Sequence, residues 1–218
     1  MSDAWGVEAH QGSAADFHAR TVEEPAERAV WWSTVDRPAL VLGSAQRPEV
    51  ADAGALAATG VELVRRRSGG GAVLLVPGEV VWVDVIVPAG DPLWDDDVGR
   101  ATHWLGATWA RALIACGMPD ATDHLGPMIR TPWSWLVCFS GLGPGEVQDG
   151  TAKVVGISQR RTRGWARFQC AAYLRWDPAA LVALLAEPRP PVASLTDAVL
   201  EVPASAAALR AAFESALP

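Results

Sequence analysis

Hydrophobic and polar positions follow two periods along this chain, and they divide it into strands and helices. The segments Pro38 to Gln46 (PALVLGSAQ) and Val61 to Arg65 are short, apolar and β-branched, as strands are, and Ala51 to Thr59 between them reads as a short helix. From Ala72 the chain runs AVLLV, turns at Pro77-Gly78 and continues as EVVWVDVIVP, polar only at Glu79 and Asp84. That pattern predicts a β-hairpin with a buried second strand, central in its sheet. Val98, Thr102, Leu105, Trp109, Leu113 and Cys116 recur at steps of three and four until Gly117 and Pro119 stop them. With Asp95-Asp96-Asp97 placing negative charge at its start, a helix over 95–116 is predicted. Residues 120–150 are rich in Pro, Gly, Trp and Thr without a period, so they are expected to form loops, where function often resides. Strands resume at 153–159 and 166–175. Asp177-Pro178 caps a helix to about Glu187, Pro188 to Pro191 form a linker, and Pro203 to Leu217 is amphipathic with Leu209, Phe213 and Leu217 aligned. The fold class expected is α+β: one domain over 1–218, with a mixed, mostly antiparallel sheet containing strands at 39–43, 61–65, 72–76, 80–87, 153–158 and 166–175, covered by helices.

Composition narrows the function classes. With 218 residues, half of them hydrophobic and 20% charged, one sizeable core is expected. The first 30 residues hold no cationic start followed by an apolar run, and the long uncharged stretch 72–89 is broken by Pro77, Gly78, Glu79 and Asp84. Neither a signal peptide nor a membrane span is expected, and the protein reads as soluble and cytoplasmic. Cys116, Cys138 and Cys170 have no C-x-x-C spacing, so free thiols are expected, with no disulfide framework and no metal site. A net charge of -7 disfavours nucleic acid, leaving the basic runs at 65–67 and 160–163 as local anion sites. Trp31, Trp82, Trp104, Trp109 and Trp176 are expected to fill the core.

The most specific local feature is Arg65-Arg66-Arg67-Ser68-Gly69-Gly70-Gly71-Ala72-Val73, a basic strand end leading through three glycines into another strand. Without Cβ atoms the glycine backbone can lie against a ligand and present N–H groups to an oxygen, with Ser68 and an arginine adding donors. This stretch resembles the R-R-x-S-G-G-G-A-V signature of lipoate protein ligases and the related octanoyltransferases, within the biotin and lipoate protein ligase superfamily. Gly150-Thr151-Ala152-Lys153-Val154-Val155-Gly156-Ile157-Ser158-Gln159-Arg160-Arg161 is similar to that family's G-x-K-x-x-G-S-A-Q-R-R segment, and Gly43-Ser44-Ala45-Gln46 to its G-x-x-Q. Together these span about residues 38–175. The resemblance implies a catalytic domain of that type. It implies that Lys153 contacts an acyl carbonyl and that Arg65, Arg66, Ser68, Gly69, Gly70, Gly71, Gly43, Gln46 and Gly156 bind the acyl substrate; because acyl-chain burial needs a tunnel with a polar mouth, Gly69 to Gly71, Lys153 and Gly43 to Gln46 are expected to converge on one elongated pocket. Cys138, in Leu136-Val137-Cys138-Phe139, stands where some octanoyltransferases resembling lipoate ligases carry a nucleophilic cysteine in a Cys-Phe segment. A thiolate near an ammonium can take an acyl group from a thioester and pass it to an amine.

Two segments depart from the family pattern. After the glycines the family shows A-V-Y-H-D, whereas this chain has Ala72-Val73-Leu74-Leu75-Val76, a more apolar wall that weakens the case for ATP binding more than for acyl binding. Where relatives carry His-Gly-Ser, this chain has Gln169-Cys170-Ala171, which makes Cys170 a rival thiol. Adenylating ligases generally carry or recruit an accessory domain, so a chain ending at Pro218 favours a carrier-dependent transferase. Three expectations follow from the resemblance. The first is transfer of an octanoyl or lipoyl group from acyl carrier protein to a lysine of a lipoyl-domain protein through a Cys138 thioester, without cofactor. The second is ligation of free lipoate or octanoate with ATP and Mg2+ through an acyl-adenylate. The third is an acyl-binding relative without turnover.

Overall fold

The computed structural model describes residues 4–218. In chain order its strands and helices are β1 (Gly6–Gly12), α1 (Ala14–Ala19), β2 (Ala29–Val35), β3 (Ala39–Leu42), α2 (Ala53–Thr59), β4 (Glu62–Arg65), β5 (Val73–Leu75), β6 (Val80–Pro88), α3 (His103–Ala115), β7 (Thr122–Asp123), β8 (Val147–Asp149), β9 (Ala152–Arg161), β10 (Trp165–Tyr173), α4 (Pro178–Ala183), α5 (Ala193–Thr196) and α6 (Ala206–Ala216). A seven-stranded sheet in the order β1-β2-β6-β10-β9-β8-β7 faces a three-stranded sheet in the order β4-β3-β5. Among the strands of the described residues, β1 with β2 and β3 with β4 pair in parallel and the other ladders are antiparallel. The architecture is α+β, as the sequence predicts, but the strands at 39–43, 61–65 and 72–76 leave the main sheet to form the small one.

The predicted hairpin at Pro77-Gly78 is therefore not a hairpin. β5 pairs with β3, β6 lies between β2 and β10, and the turn at Gly78 (φ 78°) carries the chain from one sheet to the other. The burial of β6 explains the crossing, because a strand apolar on both faces is stabilised between two partners and two packed layers. Its odd positions Val81, Val83, Val85 and Val87 join a core with Leu105, Trp109, Leu113 and Phe213 of α3 and α6, while Trp82 points the other way, to Phe17, Val41 and Leu75. Period-two alternation on β3 and β5 completes the layering. Val41 and Leu75 face the main sheet, whereas Leu40 and Leu74 pack outward with Leu56 and Leu181.

The helix predicted from 95 begins at His103. Asp95 Oδ1 accepts from Asp97 N (2.8 Å) and Asp97 Oδ1 from Gly99 N and Arg100 N (2.8 and 3.1 Å), so the acids hold successive turns ahead of a 3-10 turn at Arg100–Thr102. At the other end Gly117 (φ 93°) and the Met118 N–H to Leu113 O bond (3.0 Å) terminate the helix as expected. The helix after Asp177 is capped as predicted, with Oδ1 3.0 Å from Ala180 N, but ends at Ala183, and the last helix covers Ala206–Ala216. Among the described residues no helix is long and apolar enough to cross a membrane.

Candidate active site

The gap between the two sheets holds a narrow cavity of about 50 Å³. Val41, Val73 and Leu75 of the small sheet form one wall, and Trp82, Gly156, Ser158, Gln169 and Ala171 of the main sheet form the other. Cys138, Ile157 and Ser158 also border a wider space of about 340 Å³ lined by Gly69, Gly70, Gly71, Glu146 and Lys153. An apolar bore thus adjoins a wider mouth that carries the glycine backbone, Glu146 and Lys153, and Cys138 borders both. Leu75, in place of a polar family residue, lines the bore, so the apolar wall read from the sequence is present.

The glycine loop is built from within. Arg66, 5% exposed, donates from Nε and Nη2 to Gly69 O (3.1 and 2.7 Å), from Nη2 to Gly71 O (2.9 Å) and from Nη1 to Val41 O (3.3 Å). Its guanidinium therefore holds two of the loop's carbonyls, while the residue also borders the bore. With the Gly69 and Gly71 carbonyls engaged, the N–H groups of Gly69, Gly70 and Gly71 have no acceptor among the described residues. A Cβ on Gly43 would sit 1.8 Å from Gly70 O, and one on Gly71 would sit 2.7 Å from Cys138 N. Those contacts set the close approach that the triple glycine permits. Gln46 acts as a strut, accepting from Gly43 N at Oε1 (2.9 Å) and donating from Nε2 to Leu136 O (3.0 Å). Gly43 and Gln46 thus shape the loop from outside the bore and mouth. Arg65 alternates away from Arg66 into solvent and borders neither space. Ser68, 2% exposed, is not a free donor either, since its Oγ lies 2.9 Å from Gln169 Oε1 and 3.0 Å from Ser158 Oγ.

Cys138 opens a single 3-10 turn (Cys138–Ser140) whose entry is fixed by Ala72 N to Leu136 O (2.7 Å) and Cys138 N to Ala72 O (3.0 Å). These bonds lay residues 136–138 alongside the end of the glycine loop. A Cβ on Gly70 would be 3.5 Å from Cys138 Sγ, so the sulfur lies beside the loop. The side chain of Lys153 crosses beneath. Its Nζ donates to Cys138 O (3.0 Å) and Glu146 Oε2 (2.8 Å) and lies 4.9 Å from the centre of the Phe139 ring. At 3% exposure this is no solvated edge lysine.

Glu146, which the sequence analysis did not single out, anchors that lysine. Its Oε2 also accepts from Gly143 N (2.6 Å) and its Oε1 from Ile157 N (3.0 Å), so both carboxylate oxygens are engaged. His18 was likewise missed. It reaches the bore from α1, stacks on Trp82 at 4.6 Å between ring centres, and places Nδ1 3.2 Å from Gln169 Nε2. Burial, reinforced by the charges of Arg66 and Arg167, holds its pKa at about 3, so the ring is neutral. A histidine from another element thus stands beside Gln169, the position at which the family's strand carries its own. Below them Arg167 pairs with Asp84 (2.5 Å), whose carboxyl burial pushes upward against the opposing pull of the guanidinium. No sequence signal joins His18 or Glu146 to the site, because each lies in a segment without a recognisable motif.

The rival thiol Cys170 also borders the bore, but it is 1% exposed and burial drives its pKa well above the usual thiol range. Cys138 is half-buried and open to the mouth. All three cysteines are free, and among the described residues no group of three or more His, Cys, Asp and Glu could hold a metal ion.

Comparison with solved structures places the whole chain. Protein Ta0514 of T. acidophilum, solved with lipoic acid bound, superposes with a TM-score of 0.73 at 18% identity, covering 99% of this chain and 84% of that one. A lipoate-protein ligase A bound with ATP gives 0.72 at 17% identity, covering 97% and 83%. A bi-partite lipoate protein ligase from Thermoplasma acidophilum, studied with its E2 lipoyl domain, gives 0.73 at 16% identity, covering 97% and 81%. At these identities the likeness establishes the fold. No match was found among curated protein sequences. The profile of the lipoyl protein ligase A/B catalytic domain, however, matches residues 13–217. The chain belongs to the lipoyl protein ligase A/B catalytic-domain family.

Proposed function

We propose that this protein transfers an octanoyl or lipoyl group from a carrier thioester to a lysine of a lipoyl-domain protein through a thioester on Cys138. The observation that carries the reading is the position of Cys138, where the apolar bore meets the mouth, against unpaired glycine N–H groups and above the Lys153–Glu146 pair. In the first step the Cys138 thiolate attacks the donor carbonyl carbon, an Sγ–C bond forms, the donor's C–S bond breaks, and the carrier thiol leaves with the proton Cys138 gave up. In the second, the acceptor amine attacks the same carbon, a C–N bond forms, the Sγ–C bond breaks, and the amine's proton returns to sulfur. Each step develops an oxyanion, for which the Gly69–Gly71 N–H groups are the donors and Lys153 the nearby cation; one such donor is typically worth about 10²–10³ in rate.

Intact-protein mass spectrometry with octanoyl carrier protein tests this. The expected result is a species heavier by one octanoyl group, labile to hydroxylamine, absent in Cys138→Ser, present in Cys170→Ser, and discharged by a lipoyl-domain acceptor. No adduct, with transfer supported by ATP and free acid, would instead establish the adenylating ligase. That second reading is favoured by the structural neighbour solved with ATP. In it the glycine N–H groups and Lys153 would hold the acyl-phosphate, and Mg2+ would be carried mainly by the nucleotide's own phosphates. Acyl binding without any transfer would mark a non-catalytic relative.

A further inference from the structure

Beside the mouth runs a second groove, of about 660 Å³, whose lining includes Gln46, Arg47, Met128, Arg130, Trp135 and Glu187. It shares Gly70, Met128 and Ser134 with the mouth, so it opens where the Cys138 sulfur lies. Its surface is unusual in two respects. Trp135 is 55% exposed and Met128 40% exposed, so the groove carries two open apolar side chains. The side chains of Arg47 and Arg130 are exposed and have no hydrogen-bond or ion-pair partner among the described residues. Of the groove's two carboxylates Glu187 is already paired with Arg189 (2.9 Å), leaving Glu49 against two free guanidinium groups in a protein whose net charge is -7.

An occupant that fits is elongated, partly apolar, anionic at one end, and ends in a group that must reach Cys138. We propose that this groove seats the phosphopantetheine arm of the donor's carrier protein. Trp135 and Met128 would pack on its aliphatic amide chain, and Arg47 and Arg130 would engage its phosphodiester, a geometry that guanidinium groups favour. The proposal rests on the transferase reading, because it places a thioester at Cys138. Two other occupants, an adenine nucleotide stacked on Trp135 and the acceptor's lysine arm, are outcomes of the test.

The test compares Cys138 acylation rates of the full chain with octanoyl-phosphopantetheine and octanoyl-pantetheine, which differ only in the phosphate, and measures by calorimetry the binding of free 4′-phosphopantetheine and of ATP. The variants are Arg47→Gln/Arg130→Gln and Trp135→Ala, all at exposed positions. The double variant should lower kcat/KM about tenfold for the phosphorylated donor, as expected for losing charge-assisted contacts, and leave the pantetheine thioester within about twofold. Trp135→Ala should lower both, and calorimetry should show 4′-phosphopantetheine binding weakened in both variants. Equal effects of the arginine substitutions on the two donors, or none on either, would overturn the groove assignment while leaving acylation of Cys138 intact. Loss of ATP binding with 4′-phosphopantetheine binding unchanged would overturn it in favour of the nucleotide. Impaired discharge to the lipoyl-domain acceptor with unchanged loading would overturn it in favour of the lysine arm. Failure of every thioester to label Cys138 would reject the transferase reading itself, and undiminished 4′-phosphopantetheine binding in the double variant would then reject the groove as well.

Discussion

Deleting the carboxylate of Glu146 should destabilise the fold more than deleting the ammonium it pairs with. In Lys153→Met the carboxylate keeps the N–H groups of Gly143 (2.6 Å) and Ile157 (3.0 Å) and loses only Nζ, so two charge-assisted bonds still offset its burial. In Glu146→Ala the buried ammonium keeps one neutral acceptor, Cys138 O, and two backbone N–H groups lose theirs. Breaking a buried pair costs roughly 3–5 kcal/mol, and an orphaned buried N–H about 1–3 kcal/mol. The remaining carboxylate bonds put Lys153→Met at the low end, about 3 kcal/mol, and the orphaned donors put Glu146→Ala at about 5 kcal/mol or more. That gap corresponds to roughly 4–8 °C in melting temperature for a chain of this size. Glu146→Gln, which retains one amide oxygen for an N–H group, should fall between and keep the series measurable if the alanine variant fails to fold. Urea unfolding followed by tryptophan fluorescence reads the midpoints. Lys153→Met as destabilising as either Glu146 variant, at equal m-value, would refute the claim that the carboxylate, not the lysine, anchors this cluster.

Two further outcomes follow from the geometry. His18 has a folded pKa of about 3 against 6.5 unfolded, so its contribution to stability is complete above about pH 6.5 and is lost as the pH falls from there toward 3. The His18→Gln variant should lack that part of the slope, up to roughly 1.4 kcal/mol per pH unit, and parallel stability curves between pH 6 and 4 would show that the ring is not held neutral by burial. Under the proposed transferase mechanism, Gly43→Ala should slow acylation of Cys138 about 10²-fold by displacing Gly70, whereas Gly69→Ala, with nothing within 4 Å of its Cβ, should alter it far less; similar rates for the two would mean that the loop's position does not govern the reaction.

The sequence is most informative where one local rule determines the outcome. The α2 segment, the long α3 register from Leu105 to Leu113 and the doubly buried β6 are legible because their periodicity matches the packing they adopt. β1 and α1 are not, since β1 is a largely exposed edge strand and α1 is only six residues long. The sheet exchange at Gly78 is invisible because a two-residue turn between apolar strands has the same local signature whether its flanks pair or diverge. At the site, the glycines and Lys153 converge as the resemblance implies. Arg66, Ser68 and Gln46 have side chains of the type that binds substrates, and burial turns their polar atoms to the protein's own backbone and side chains, which no local pattern signals. Glu146 and His18 escape because their partners lie 7 and 151 residues away, and pairings of either kind have no distinctive spacing.

Strand β10 presents alternate residues to two different environments. Ala166, Phe168 and Ala172 belong to the helix-side core, whereas Arg167, Gln169 and Ala171 look toward the space between the sheets. Adjacent codons therefore answer to separate selective demands. Replacement at 169 or 171 would redraw the shape of the bore and, under the proposed function, the acyl group it accepts, while Ala166, Phe168 and Ala172 keep the molecule folded. Substrate range in such a strand can drift, or be engineered, one residue in two without renegotiating the rest.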